Sequence, residues 1–132
     1  MKSRAETHAE EREMVEGREG KGGCVEWGGF TVAFETYPKG GKGWAPFFRG
    51  LPDDRCQSPH WGFVIKGKMT IGYKDHDETI KAGEAYYLAP GHLPLRMAKG
   101  TKIIEFSPKA EYDKTIAVTS KNRKAMAAKS RK

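Results

Sequence analysis

A chain of 132 residues fits one domain and can bury a core without disulfides. No apolar run reaches the roughly 18 residues of a membrane span, and the acid-rich opening MKSRAETHAEEREMVEG reads as neither a secretory signal nor a transit peptide. A cytoplasmic location is therefore expected, with Cys24 and Cys56 as thiols. The net charge of +7 is unevenly placed: KNRKAMAAKSRK at the C-terminus holds six bases and no acid, and subtracting those six leaves +1. No aromatic residue is interleaved with these bases, which counts against single-strand nucleic-acid recognition.

Residues 1 to 22 are polar, with too few apolar residues for a buried helix face, and read as a leader or arm. The body, 23 to 110, is punctuated by turns. GFTVAFETY alternates Phe30, Val32 and Phe34 with Thr31, Ala33 and Glu35, the period of a half-buried strand. WGFVI and MTIGYK flank KGK as a hairpin. DHD turns the chain into ETI, KAGE turns it into AYYLA, and PGHLP ends that strand. LRMA and KIIEFS flank KGT as a further hairpin. Strands recurring at intervals of about eight to twelve residues predict an all-β antiparallel barrel or sandwich. Residues 111 to 132 tolerate helix but carry the β-branched run TIAVTS, so helix and coil both stay open there. The basic end reads as a solvated tail whose deletion, from residue 121 onward, should leave the fold intact.

HWGFVIKGKMTIGY followed by IKAGEAYYLAPGHLP resembles the two signature motifs of the cupin superfamily. The first motif ends as strand, glycine turn and strand, here Phe63 to Met69 around Gly67; the second runs from Gly83-Glu84 to Pro90-Gly91. The resemblance covers about residues 28 to 108 and implies a single-domain jelly-roll β-barrel, often a homodimer, with a metal site inside. It also implies where ligands fall. Seven residues before Gly67, His60 takes the place of the family's Glu. Four earlier, Cys56 takes the place of one His, and two earlier still Asp54 takes the place of another. The last His of the family pattern would fall at Pro94; His92 lies two residues before it. A divalent transition metal (zinc, iron, nickel or copper) held by His60, His92, Cys56 and Asp54 is thus the expectation. Each residue also has a plainer reading: His60 as a core histidine, Cys56 as a small buried hydrophobe, Asp54 as a turn residue.

Tyr86 and Tyr87 point to opposite faces of one strand, so one faces the interior. Either could serve as an acid, and Glu105 in KIIEFS as a base if it points inward. Trp61 and Phe63 share the face opposite His60 and would pack between sheets or at a dimer interface. WAPFFRG, if exposed, would be an apolar lid or partner site. The expected function is binding of a metal ion or small organic ligand inside the barrel, with oxygenase, isomerase or lyase chemistry as the catalytic form. A non-catalytic binding or sensor module is the alternative, and a nucleic-acid-associated protein acting through the basic tail is a third.

Overall fold

The computed structural model describes residues 12–13 and 21–130. The rest of the expected polar arm lies outside the described residues. Strands β1 (Arg12–Glu13), β2 (Lys21–Trp27), β3 (Phe30–Tyr37), β5 (His60–Lys66), β8 (Ala85–Leu88) and β10 (Thr101–Pro108) form a six-stranded antiparallel sheet in the order β1-β2-β3-β10-β5-β8. Strands β4 (Gly41–Lys42), β6 (Lys68–Gly72), β7 (Asp77–Lys81) and β9 (Leu93–Met97) form a four-stranded sheet in the order β4-β9-β6-β7. Of the barrel or sandwich expected, the two sheets make the sandwich. Among the described residues no named strand pairs with a strand of the other sheet, so the two sheets face each other as an open sandwich. One helix, α1 (Lys109–Ser130), follows β10 directly.

Side-chain alternation decides what each sheet buries. In β5, His60 and Val64 point into the sandwich, whereas Trp61, Phe63 and Ile65 point out. Met69 and Ile71 of β6, Met97 of β9 and Ile103 of β10 meet Val64 and Leu88 in the core. The KGK hairpin needs its glycine. Gly67 has φ +81°, and a Cβ there would come within 2.4 Å of Thr101 Oγ1. That hydroxyl is already engaged, accepting from the Lys68 N–H at 3.2 Å and lying 2.6 Å from the Ala98 carbonyl.

WAPFFRG is not the exposed patch that its composition allowed. Ala45–Phe48 make a 3-10 turn that buries Trp44 and Phe47 in the main core. The helix docks on this turn. Asn122 Nδ2 donates to the carbonyls of Phe47 at 2.7 Å and Arg49 at 2.8 Å, and Met126 packs against the core. Lys121, Arg123, Lys124 and Lys129 therefore belong to a docked helix.

The outer face of the six-stranded sheet is also apolar. Phe34, Ile104 and Phe106 pack over Val25 and Val32. Beside them Phe30 (38% exposed), Trp61 (43%), Phe63 (40%), Ile65 (44%) and Tyr87 (51%) remain open to solvent. The Trp61 ring lies 6.2 Å from Phe30 and 5.3 Å from Tyr87.

Candidate metal centre

Three side chains from three segments converge at one end of the sandwich. His60 opens β5, and His92 lies between β8 and β9. Cys56 sits before Pro59 in the loop that leads to His60. The loop folds back because Cys56 forms an isolated antiparallel bridge with His92: the Cys56 N–H donates to the His92 carbonyl at 2.9 Å, and the Gly91 N–H donates to the Cys56 carbonyl at 2.8 Å. Gly91 has φ +96°, a conformation that favours glycine in the turn before His92.

The ligand atoms of Cys56, His60 and His92 all lie within 4.8 Å of one another, and all three residues are buried. Cys56 Sγ is 3.5 Å from His60 Nε2. A zinc ion bound through sulfur at about 2.3 Å and nitrogen at about 2.0 Å, at a tetrahedral angle, separates two such ligands by about 3.5 Å. The thiol–imidazole pair already has that spacing. The remaining ring atoms are held for the purpose. His92 Nδ1 donates to the Ala89 carbonyl at 2.7 Å, which leaves Nε2 with its lone pair free to ligate. His60 Nδ1 is 2.6 Å from Ser107 Oγ, which likewise turns Nε2 toward the cysteine.

Electrostatics disfavours an activated thiol. Burial pushes the Cys56 thiol up to about 11. Burial also lowers His60 to about 4, and His92 to about 4 with a further contribution from its neighbour His60. The pair therefore rests as neutral thiol and neutral imidazole, without the thiolate that a cysteine nucleophile requires. A divalent cation reverses this by displacing the thiol proton.

The site opens into a cavity of about 160 Å³ between the sheets and under α1. Two glutamates on the inner face of the six-stranded sheet line it. Glu35 accepts a hydrogen bond from the Tyr37 hydroxyl at 2.7 Å, and Glu105 accepts one from the Tyr86 hydroxyl at 2.8 Å. Glu105 Oε2 is also 3.7 Å from His60 Nδ1. Burial raises the Glu105 carboxyl to about 7, with the Tyr86 hydrogen bond opposing part of the rise. Burial, then the charge of Glu105, hold the Tyr86 hydroxyl firmly protonated, so it acts as a donor. Gly62 makes room for Tyr86: a Cβ there would lie 2.3 Å from Tyr86 Cζ and 2.6 Å from the Ile104 carbonyl oxygen. Gly62→Ala is thus expected to expel Tyr86 from Glu105 and to cost about 2 kcal/mol or more, read as a lower urea midpoint. An unchanged midpoint would mean the tyrosine is not held in this pose.

The structure brings together His60, His92 and Cys56, and sets Glu105 and Tyr86 beside them. It does not bring Asp54 in. Asp54 is exposed, has φ +54°, and accepts the Gly50 N–H at 3.0 Å, which fits a turn residue. Tyr87 stacks beside Trp61 on the outer face, away from the cavity. Sequence reasoning missed Ser107, Glu35 and the cavity-lining residues of α1. Glu35 carries a readable signal, since it shares the inner face of β3 with Thr31, Ala33 and Tyr37.

No family model matches the chain, and no curated protein matches it by sequence. Solved structures do match in fold. An RmlC-like cupin from Shewanella frigidimarina is 16% identical, with 80% of this chain and 88% of that one covered and a TM-score of 0.55. A Ralstonia eutropha protein assigned provisionally as a mannose-6-phosphate isomerase is 11% identical over 82% of this chain and 97% of that one, with a TM-score of 0.53. HppE in its FeII form is 12% identical over 76% of this chain and 56% of that one, with a TM-score of 0.51. The chain has a cupin-like fold, and at one end of that fold a buried Cys-His-His group could hold a metal ion.

Proposed function

We propose that this protein is a small metal-binding cupin whose cavity holds an organic ligand beside the ion. The observation that carries the proposal is the convergence of Cys56, His60 and His92, buried and within 4.8 Å, on the wall of a 160 Å³ cavity. Three protein ligands leave open positions on a divalent ion, the arrangement of catalytic rather than structural sites. One thiolate and two imidazoles suit zinc, iron, nickel or copper. Glu105, poised near neutrality beside His60, is the proton-handling group that oxygenase, isomerase or lyase chemistry would use, and Tyr86 is its hydrogen-bond donor. Elemental analysis of protein purified without a histidine tag should find close to one transition metal per chain. Metal-free protein that takes up none on dialysis against zinc would leave the non-catalytic binding module as the reading.

A pH series tests the thiol as a ligand. Cys56 is a thiol below about 11, and both histidines are already neutral above about 4. Binding between pH 8 and pH 10, where Glu105 is already ionised, should therefore release one proton, from Cys56. Zinc affinity should rise about tenfold per pH unit, measured by competition with a chelator whose own pH dependence is known. A flat profile would remove Cys56 from the ligand set.

We extend the proposal to a homodimer formed through the outer sheet face. Phe30, Trp61, Phe63, Ile65 and Tyr87 carry no charge, so two copies of this face are complementary to one another across a two-fold axis. Trp61→Glu should then sediment as a monomer at concentrations where the parent is a dimer. Equal sedimentation of the two proteins would place any dimer contact elsewhere.

A further inference from the structure

Helix α1 covers the cavity with an unusual set of side chains. Tyr112, Thr115, Ile116, Thr119 and Arg123 line the cavity, and their spacing of three and four residues puts them on one face. A helix that merely sealed an apolar space would present aliphatic residues there. Arg123 is half-buried on this face. Among the described residues no carboxylate forms an ion pair with it. The glutamates that line the same cavity have other partners, since tyrosine hydroxyls donate to Glu35 and to Glu105. A guanidinium taken part-way out of water without a counter-charge is costly, and its planar fork matches a carboxylate.

We propose that Arg123 is the recognition residue for the carboxylate of a small organic acid, which lies in the cavity with its other end toward Cys56, His60 and His92. The placement of that far end rests on the metal-binding reading; the role of Arg123 does not. Dimensions agree with such a ligand. Thr115 Oγ1 is 3.8 Å from Cys56 Sγ, and Arg123 lies eight residues further along α1, about 12 Å along the axis. Helical side chains lean toward the N-terminus, which carries the guanidinium back toward Thr119 and the metal end. A cavity of 160 Å³ is about the size that accepts benzene, so the ligand has an apolar body of about six to nine non-hydrogen atoms. The apolar walls of Phe47, Leu88 and Ile103 suit that body. The cavity glutamates disfavour a doubly charged phosphate.

Calorimetric titration with butyrate and benzoate, and with the neutral butyramide and benzamide, tests this on zinc-treated and metal-free protein. The wild-type chain should bind at least one acid ten times more tightly than its amide. Arg123→Met should lose about tenfold or more of acid affinity, with metal content and amide binding unchanged. Arg123→Lys, which keeps the charge and loses the fork, should fall between. If Arg123→Met does not fold, the lysine variant and the acid-to-amide ratio decide. Acid binding equal in wild type and Arg123→Met, or no acid preferred over its amide, would overturn the proposal. Protein that takes up no zinc, yet whose acid binding depends on Arg123, would sink the metal reading and keep this one. Metal-loaded protein whose acid binding ignores Arg123 would do the reverse.

Discussion

Replacing His92 by Ala is expected to weaken metal binding by about a hundredfold or more. Removal even of an outer hydrogen-bond partner of a metal ligand costs 10–100-fold, and this change removes a ligand itself. The cost to the fold should be smaller. His92 donates to the Ala89 carbonyl and sets its ring edge-on to His60 at 4.8 Å, so the loss is one hydrogen bond and that ring contact, about 1–3 kcal/mol. His60→Ala should lose the metal similarly, with more damage to the fold, because Ser107 Oγ is then left buried without the ring. Ser107→Ala keeps all three ligands and should weaken zinc by about tenfold through the freed orientation of His60. Elemental analysis after gel filtration, beside urea melts of each variant, separates the two effects. Retention of stoichiometric metal by His92→Ala would show that the ion, where bound, sits elsewhere.

Much of this arrangement is legible in the sequence, for reasons that particular residues make plain. β3, the KGK hairpin and β8 announce themselves because period-two alternation and glycine turns are local properties. Cys56 and His60 are singled out by their spacing from Gly67, since a fixed hairpin register transmits a position along the strand, whereas His92 lies two residues before Pro94, the place that spacing from Gly91 marks. Asp54 fails because it ends the 3-10 turn Pro52–Asp54 with φ +54°, so two residues of sequence from Cys56 do not become proximity to its sulfur. β2 is hidden by composition. Lys21, Gly22 and Gly23 look like linker, and only pairing with β3 makes them strand. The helix is hidden by its own inward face. Its inward face carries Thr115, Thr119 and Arg123 instead of an aliphatic stripe, so the hydrophobic pattern that reveals a docked helix is absent.

Ending the chain at Ser120 should destabilise the protein by about 2–4 kcal/mol, although the charge pattern marks the removed segment as a dispensable tail. The reason lies in two residues. Asn122 supplies both amide donors to the Phe47 and Arg49 carbonyls, and Phe47 is part of the main core; each lost hydrogen bond costs about 1 kcal/mol, more where a buried carbonyl is left unpaired. Met126 adds apolar contact with the same core, and a buried methionine contributes about 1.5–3 kcal/mol when fully covered. The truncation also removes Arg123 and uncovers the cavity mouth. Asn122→Ala should reproduce roughly half of the loss. Exchange of Lys121, Lys124 and Lys129, all exposed, for Gln should change stability by less than about 0.5 kcal/mol. This contrast assigns the segment's role to packing rather than charge. If the truncated chain instead melts at the parental urea concentration while the glutamine variant does not, the helix beyond Ser120 is not docked on the Trp44–Arg49 turn, and the cavity has no cover at that end.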